Sequence, residues 1–284
     1  MYERAHEQNF MHRSLADASM TIINEGLSVF GYEPEIVNEV VSFRFLNGTI
    51  LWLDIISSIT TGTRPRLLSY HTIALASDSQ VKLEDIIGCQ NRVMRQIGRI
   101  AELYERMTQV LQQGQLGRTE FEKAACTIGG EIQYDLGKEP LESSNPSGLD
   151  KYSEISNLVD LPKLITRIYS YTAFIYLHLV IYGFQKTEIL NSTISKVLKM
   201  LQDLVPTHLL TSLICPLYII GCAARQEDEQ FLRRIFSTQP LHDLSLQHRS
   251  RILPILEDIW IRRRTTSEFG WKDSLELVKN VLLV

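Results

Sequence analysis

The sequence has few cysteines, and none of them is spaced for metal binding. The four in its 284 residues are Cys89, Cys126, Cys215 and Cys222. No two form a Cys-x2-Cys pair, which excludes zinc-finger and zinc-cluster spacings. Each lies among apolar or small residues, where a free cysteine behaves as a small hydrophobe. The first twenty residues also lack the uninterrupted apolar run of a secretory signal. We therefore expect a reducing compartment.

The chain also lacks an excess of positive charge. Its formal net charge is −4 and its isoelectric point is about 6.0. A polypeptide that binds nucleic acid through phosphate contacts is usually basic, because each neutralised phosphate releases counterions. The composition therefore disfavours DNA binding by this chain alone.

Catalytic motifs are missing as well. The sequence has no His-Glu-x-x-His and no Gly-x-Ser-x-Gly, and no Gly-x-Gly-x-x-Gly follows a strand. A helical enzyme of the prenyl-cyclase type would hold magnesium on paired acidic clusters, and the one candidate cluster is Glu227–Glu229. It lies at the start of a predicted helix, where the helix dipole favours carboxylates without a metal. We expect no enzyme, and no catalytic, cofactor-binding or metal-binding residue.

One long apolar run is present, from Ile168 to Phe184. It contains Ser170, Thr172, four tyrosines and His178. The run falls a little short of the ~18–20 apolar residues that a membrane span needs. It is better explained as a buried core helix, and we expect no membrane association.

Apolar residues recur at three- and four-residue spacing over most of the chain, which predicts helices. Strand signals are nearly absent. Short loops between helices favour antiparallel neighbours. We predict an all-α fold, an array of antiparallel helices packed as an irregular bundle or an α-solenoid-like superhelix. The predicted helices cover residues 3–30, 34–48, 50–60, 83–111, 120–132, 160–182, 187–203, 207–224, 227–237, 244–265 and 271–282.

Breaking residues suggest how the chain is organised. Residues 66–80 look irregular, and Pro216 and Pro254 should kink or split the helices that contain them. Residues 137–150 form the clearest linker. We predict a single domain over residues 1–284. If the linker is a boundary, the chain is sub-divided into residues 1–136 and 151–284.

Aromatic residues of the predicted helix 160–182 suggest a ligand cavity. A lone histidine on an apolar helix, such as His178, is more often hydrogen-bonded within a core than used as a ligand. The sharper interpretation makes it a polar contact in a small-molecule cavity lined by Tyr169, Tyr176 and Tyr182. Both interpretations stay open at the level of sequence.

Two arginine groups have similar alternatives. Arg64 and Arg66 lie in a loop beside Trp52 and Asp54, where an arginine–aspartate pair would pin the loop or an arginine would contact an anion or a partner. Arg262–Arg264 ends a predicted helix and complements its negative terminus. A nuclear-import patch or a nucleic-acid contact is the alternative for this triplet.

Six clusters, in order along the chain, resemble the fungal-specific transcription factor domain, the regulatory region of fungal zinc-cluster (Zn2Cys6) transcription factors. The resemblance runs from about residue 10 to the end. The clusters are Trp52–Pro65; Gly88–Asn91; Ile165–Tyr169 with Tyr176–His178; Cys215–Leu217 with Gly221–Ala223; Trp260–Arg264; and Trp271 with Val281–Val284.

The resemblance implies one regulatory domain over residues 1–284, in a nuclear transcription factor that controls RNA polymerase II transcription through other transcription proteins. The family usually acts as dimers and transmits metabolite signals, so a homodimer and a small-molecule effector are expected partners. A non-enzymatic scaffold or adaptor is the alternative function, and a divergent helical enzyme is a further one. The candidate ligand or partner contacts are Trp52, Asp54, Arg64, Arg167, Tyr169, Tyr176 and His178.

The sequence departs from the family pattern in one respect. The family's DNA-binding element is an N-terminal cluster of six cysteines, beginning Cys-x2-Cys-x6-Cys, around two zinc ions. The four cysteines of this chain cannot build that cluster. We therefore expect zinc and DNA contacts only through a missing or partner domain. The sequence is interpreted as either a piece of a longer factor or a stand-alone relative.

Overall fold

The computed structural model describes residues 34–114, 118–138, 160–242 and 247–284. Within these ranges the regular structure is helical and contains no strand, which confirms the predicted all-α class. Two 3₁₀ segments, Thr187–Leu190 and Thr207–Leu213, precede the helices that begin at Asn191 and Ile214. The α-helices are α1 (Pro34–Thr61), α2 (Leu68–Ala74), α3 (Glu84–Ile87), α4 (Asn91–Gln112), α5 (Arg118–Lys138), α6 (Leu161–Tyr182), α7 (Asn191–Asp203), α8 (Ile214–Ala223), α9 (Gln226–Phe236), α10 (Gln247–Ser250), α11 (Ile252–Thr265) and α12 (Trp271–Val278).

Helix α6 forms the centre of the fold. It begins where the sequence predicts, because Asp160 Oδ1 accepts a hydrogen bond from the Lys163 backbone N–H at 3.2 Å and Pro162 lies in the first turn. It ends at Gly183, which has a φ of 60°. By length and composition α6 is apolar enough to cross a membrane, but 78% of its most apolar window is buried inside the protein. Helices α4, α5, α7 and α8 cover it.

Helix α8 is buried along its whole length, from Ile214 to Ala223. It packs on α6 and on α11. The indole N–H of Trp260 in α11 donates to the Gly221 carbonyl at 2.8 Å. A Cβ at Gly221 would lie 2.8 Å from Leu256 Cδ1, so the glycine allows these two helices to approach closely.

The packing favours a bundle over a solenoid. In a solenoid each repeat contacts only its neighbours along the chain. Here α12, at one end of the described chain, contacts α1 at the other, and Tyr176 of α6 contacts Trp271 of α12. Val281 and Leu283, beyond the last helix, are buried as well. One hydrophobic core therefore includes the helices on both sides of residues 139–159.

Polar contacts join α4 to α5 at the edge of this core. Arg92 Nη1 lies 2.5 Å from Asp135 Oδ1, and Gln96 donates to Asp135 Oδ2 at 2.9 Å. Arg99 pairs with Glu131 one turn along α5. Because these groups are partly exposed, they orient the two helices more than they stabilise the fold.

Two predicted boundaries are wrong, and glycines explain both. Residues 34–48 and 50–60 form a single helix, α1, and Gly48 lies inside it against α3, where a Cβ would lie 2.2 Å from Ile86 Cδ1. Residues 83–111 are divided into α3 and α4, because Gly88 has a left-handed φ of 76°. Helix α6 holds this break: the Gln90 N–H donates to Thr166 Oγ1 at 3.1 Å.

Other boundaries differ less. Helix α5 extends beyond the predicted 120–132 and continues through Gly129 and Gly130, and residues 66–80 contain the short helix α2. The two prolines do divide the helices as predicted. Pro216 lies in the first turn of α8 after a 3₁₀ segment, and Pro254 lies in the first turn of α11 after a break at Arg251.

Some predictions fall outside the described residues. The predicted helix 3–30 lies there, as do residues 139–150 of the predicted linker, while residues 137 and 138 belong to α5. The division of the chain into 1–136 and 151–284 stays a prediction.

The break at Gly88 gives the first test. A Cβ at Gly88 would lie 2.6 Å from Ile165 Cδ1, whereas a Cβ at Gly114, with a φ of 69°, would have nothing within 4 Å. Both Gly→Ala substitutions strain the left-handed backbone by about 1 kcal/mol, but only Gly88→Ala also crowds the core, for a total of about 2–4 kcal/mol. Urea unfolding should show this order. Equal losses would contradict a close approach of Gly88 to α6.

Candidate functional site

The carboxylate of Asp54 holds the loop that follows α1. Its Oδ1 accepts a hydrogen bond from the Arg66 N–H and its Oδ2 one from the Leu67 N–H, both at 2.9 Å. Leu67 immediately precedes α2, so the carboxylate lies at the positive end of that helix. Nε2 of the buried His71 is 3.1 Å from Asp54 Oδ2. Asp54 thus joins α1 to α2.

Arg64 has a different partner from the one that the sequence suggested. Its Nε lies 3.5 Å from Glu105 Oε2 on α4, and its side chain is 64% exposed. Asp54 therefore pins the loop through the backbone N–H groups of Arg66 and Leu67, while Arg64 lies beside Glu105. The exposed guanidinium can also reach solvent anions or a partner, and that role stays a prediction.

Trp52 and Tyr169 lie in the core, where α1 meets α6. Trp52 is half-buried and Tyr169 is buried. The Tyr169 hydroxyl donates to the Ser212 carbonyl at 2.8 Å, which ties α6 to the 3₁₀ segment before α8. Burial raises the pKa of Tyr169 well above its usual value, and the nearby Cys215 and Cys89 thiols add to this rise. Tyr169 therefore acts as a neutral hydrogen-bond donor.

Tyr176 is also buried, but its hydroxyl has no hydrogen-bond partner within the described residues. Its ring makes an edge contact with Trp271, with a centroid distance of 5.8 Å. Burial raises the pKa of Tyr176 far above its usual value. A buried hydroxyl without a partner costs free energy, so packing of the ring must hold Tyr176 in place.

His178 makes a structural contact. Its Nε2 lies 2.9 Å from the Gln185 carbonyl, and its ring is 5.1 Å from that of Tyr182. These contacts fix the turn after α6 and agree with the core interpretation of this histidine. Tyr182 is 41% exposed, while Tyr169 and Tyr176 are each 1% exposed. The three tyrosines therefore have different surroundings, and a shared ligand cavity stays a prediction.

Arg167 lines an open groove on the surface. The groove lies between α6 and α7 and has a volume of about 410 Å³. Arg167 Nη2 is 3.5 Å from the Tyr171 hydroxyl, and its guanidinium carbon is 5.8 Å from the centre of the Tyr171 ring. The structure thus scatters the candidate residues over the α1–α2 loop, the core and this groove.

Sequence reasoning missed a buried charge, Glu229. It lies in the acidic triplet Glu227–Glu229, and its side chain is 6% exposed. Its two carboxylate oxygens bind Arg233 and Arg264, which are four and 35 residues away. The sequence does show an arginine four residues after Glu229 and another at the end of α11. It does not show that both approach Glu229 in the fold.

Within the described residues, no group of three His, Cys, Asp or Glu side chains could hold a metal ion.

All three arginines of the triplet Arg262–Arg264 have partners. Arg262 Nε donates to Asp258 Oδ1 at 2.8 Å, and Arg264 binds Glu229. Arg263 donates to the carbonyls of Cys222 and Ala224 at the end of α8, at 2.6 and 3.0 Å. The triplet therefore binds two carboxylates and the carbonyl end of a different helix, α8, whereas the sequence had suggested that it would complement the end of its own helix.

These contacts define the class of the protein. The described chain is an all-α domain in which buried polar groups such as Gln96, Thr166 and Glu229 join one helix or helix junction to another. Of its candidate contacts with other molecules, Arg64 lies on an exposed loop and Arg167 lines an open groove, while Tyr169, Tyr176 and His178 are buried.

The chain belongs to the fungal specific transcription factor domain family, whose profile matches residues 20–284. This confirms the resemblance found in the sequence. Pestheic acid cluster transcriptional regulator 3 of Pestalotiopsis fici is 38% identical over 288 residues, covering 100% of this chain and 50% of the relative.

Two further relatives are more distant. Trichothecene biosynthesis transcription regulator TRI10 of Fusarium sporotrichioides is 26% identical over 239 residues, covering 83% of this chain and 53% of the relative. Transcription factor dibT of Pestalotiopsis microspora is 29% identical over 248 residues, covering 81% of this chain and 39% of the relative. The chain spans about half the length or less of these relatives. No solved structure matches it.

Asp54 gives the second test. Asp54→Ala leaves the N–H groups of Arg66 and Leu67 without their acceptor and should lower the free energy of unfolding by about 2–3 kcal/mol. Asp258→Ala removes a partly exposed pair with Arg262 and should cost less than about 1 kcal/mol. Chemical denaturation of both variants measures the difference. A loss at Asp54 as small as that at Asp258 would contradict the loop-pinning role.

The two buried tyrosines of α6 give the third test. Tyr169→Phe removes a donor to the Ser212 carbonyl and should cost about 1–2 kcal/mol of unfolding free energy. Tyr176→Phe removes a hydroxyl without a partner and should be neutral or stabilising. Thermal unfolding of the matched pair distinguishes them. Equal destabilisation would show that the Tyr176 hydroxyl has a partner, as a ligand cavity would require.

Proposed function

We propose that this chain is the regulatory region of a transcription regulator that controls a set of fungal biosynthetic genes. It acts in the nucleus, as part of a non-enzymatic regulator, through contacts with other transcription proteins. The proposal assigns no DNA contact to the described residues. The proposal includes two further partners, a second copy of the chain in a homodimer and a small-molecule effector.

The match to the pestheic acid cluster regulator carries this proposal. The similarity covers the whole of this chain at 38% identity, so it includes the central helices as well as the surface loops. A second relative is named for trichothecene biosynthesis. Because the names of these two relatives refer to a pestheic acid cluster and to trichothecene biosynthesis, control of biosynthetic genes is the natural proposal for this chain.

The chemistry of the described residues supports a binding role. The ion pairs of Glu229, Arg233 and Arg264 join α9 to α11, and those of Arg92 and Arg99 join α4 to α5. Burial raises the pKa values of the thiols of Cys89, Cys215 and Cys222, so they stay protonated and unreactive at neutral pH. Three of the four thiols are thus buried and kept neutral, and these ion pairs serve as structural contacts.

A tethering experiment tests the proposal. The full chain, fused to an unrelated DNA-binding domain, should change the output of a reporter gene relative to that domain alone. Trp260→Ala removes a buried side chain and should lower the free energy of unfolding by about 3–5 kcal/mol. The variant should therefore unfold and leave the reporter output unchanged. Tyr176→Phe should preserve the effect on the reporter. The chain without the foreign domain should accumulate in nuclei when tagged and imaged.

The same two measurements can contradict the proposal. A reporter that stays unchanged in every nutrient condition, together with a tagged chain in stable cytoplasmic complexes, would contradict the proposal. It would support the alternative of a helical scaffold or adaptor.

A further inference from the structure

The groove between α6 and α7 brings positive charge together on one face. Its lining includes Arg167 from α6 and both Lys196 and Lys199 from α7, against one acidic residue, Asp203. The whole chain has a net charge of −4. This local excess of cations therefore runs against the average charge of the protein.

Helical spacing explains why these residues share the groove. On α7, Lys196, Lys199 and Asp203 are three and four residues apart, so they lie along one stripe of the helix. On α6, Arg167 and Tyr171 are four residues apart and face that stripe. The groove is thus built by two packed helices, which gives it a fixed geometry.

The two lysines are available for binding. Lys196 and Lys199 are both exposed, and neither makes an ion pair or hydrogen bond with the described residues. Arg167 is half-buried and lies against the Tyr171 ring and hydroxyl. The guanidinium is thereby held in position, so it loses little freedom when it binds a carboxylate.

The floor of the groove is apolar. Met200 is 8% exposed and Tyr171 is 9% exposed, and Leu204 is half-buried at the end of α7. A ligand for this site therefore needs both negative charge for the rim and an apolar group for the floor. Neither an inorganic anion nor a purely apolar molecule has both.

We propose that this cationic groove, lined by Arg167, Lys196 and Lys199, docks an acidic amphipathic segment of a partner protein. Carboxylates of that segment pair with the three cations, and an apolar side chain between them rests on Tyr171, Met200 and Leu204. Charge complementarity identifies the occupant. The groove is open to solvent, so it suits a peptide that extends beyond it better than a small molecule that needs enclosure on all sides. This inference does not depend on the identity of the regulated genes.

Selection from a displayed library of short random peptides, with the folded full chain as bait, tests the proposal. Enriched peptides should combine acidic with apolar residues. The best one, made synthetically and labelled, should bind with an affinity that falls as salt is added. The double variant Lys196→Glu, Lys199→Glu should weaken this binding at least about tenfold, because like charges then face each other.

The matched control is Lys123→Glu with Lys272→Glu. These lysines are exposed on α5 and α12, do not line the groove, and change the net charge of the chain equally. The control should bind the peptide within about twofold of the unchanged chain, because neither lysine lines the groove and exposed charges away from it are screened by salt. A peptide with its acidic residues replaced by lysine should recover binding to the Lys196→Glu, Lys199→Glu variant. Thermal unfolding should show that both double variants are folded.

Several results would overturn the proposal. One is enrichment of peptides without acidic residues, and another is equal loss of binding in the groove variant and its control. Binding of small aromatic carboxylates to the groove, with no peptide enriched, would assign it to an organic-acid ligand instead. Undiminished binding by the Lys196→Glu, Lys199→Glu variant would place the peptide elsewhere on the surface.

Discussion

Burial of helix α6 is the constraint on which the rest of the structure depends. The helix is apolar around most of its circumference, so a single partner helix cannot cover it. Its buried hydroxyls also need acceptors: Ser170 donates to the Thr166 carbonyl at 2.9 Å and Thr172 to the Ile168 carbonyl at 2.8 Å. Four other helices close around it, and their polar contacts with one another lie at the rim.

Charged residues divide into two groups according to what they contact. Glu229 and Arg263 satisfy groups inside the helical packing, so their charges contribute to the structure and are hidden from other molecules. Lys196 and Lys199 make no side-chain ion pair or hydrogen bond with another described residue. The basic triplet at the end of α11 looked like the stronger signal in the sequence, yet its arginines are paired, whereas these two lysines of α7 are not.

The helical class, the central helix and its cap were predictable from the sequence, because local periodicity and Asp160 with Pro162 determine them. The continuity of α1 and the break before α4 were not. Gly48 and Gly88 have the same side chain, and contacts with residues far along the chain decide whether each continues or ends a helix. The same limit applies to the candidate site. Spacing identified Asp54, but it could not show that two backbone N–H groups and His71 would approach its carboxylate, or which arginines are already paired.

The hydrogen bond between the Gln90 N–H and Thr166 joins residues that are 76 positions apart. Closing a loop of that length costs roughly 4 kcal/mol of chain entropy beyond a constant term, and a hydrogen bond alone cannot offset it. This hydrogen bond therefore forms only when α6 packs beside the junction before α4. During synthesis on the ribosome, the face of α4 that α6 later covers stays exposed while some seventy further residues are made. For that interval the early helices depend on weak local structure and are open to chaperones.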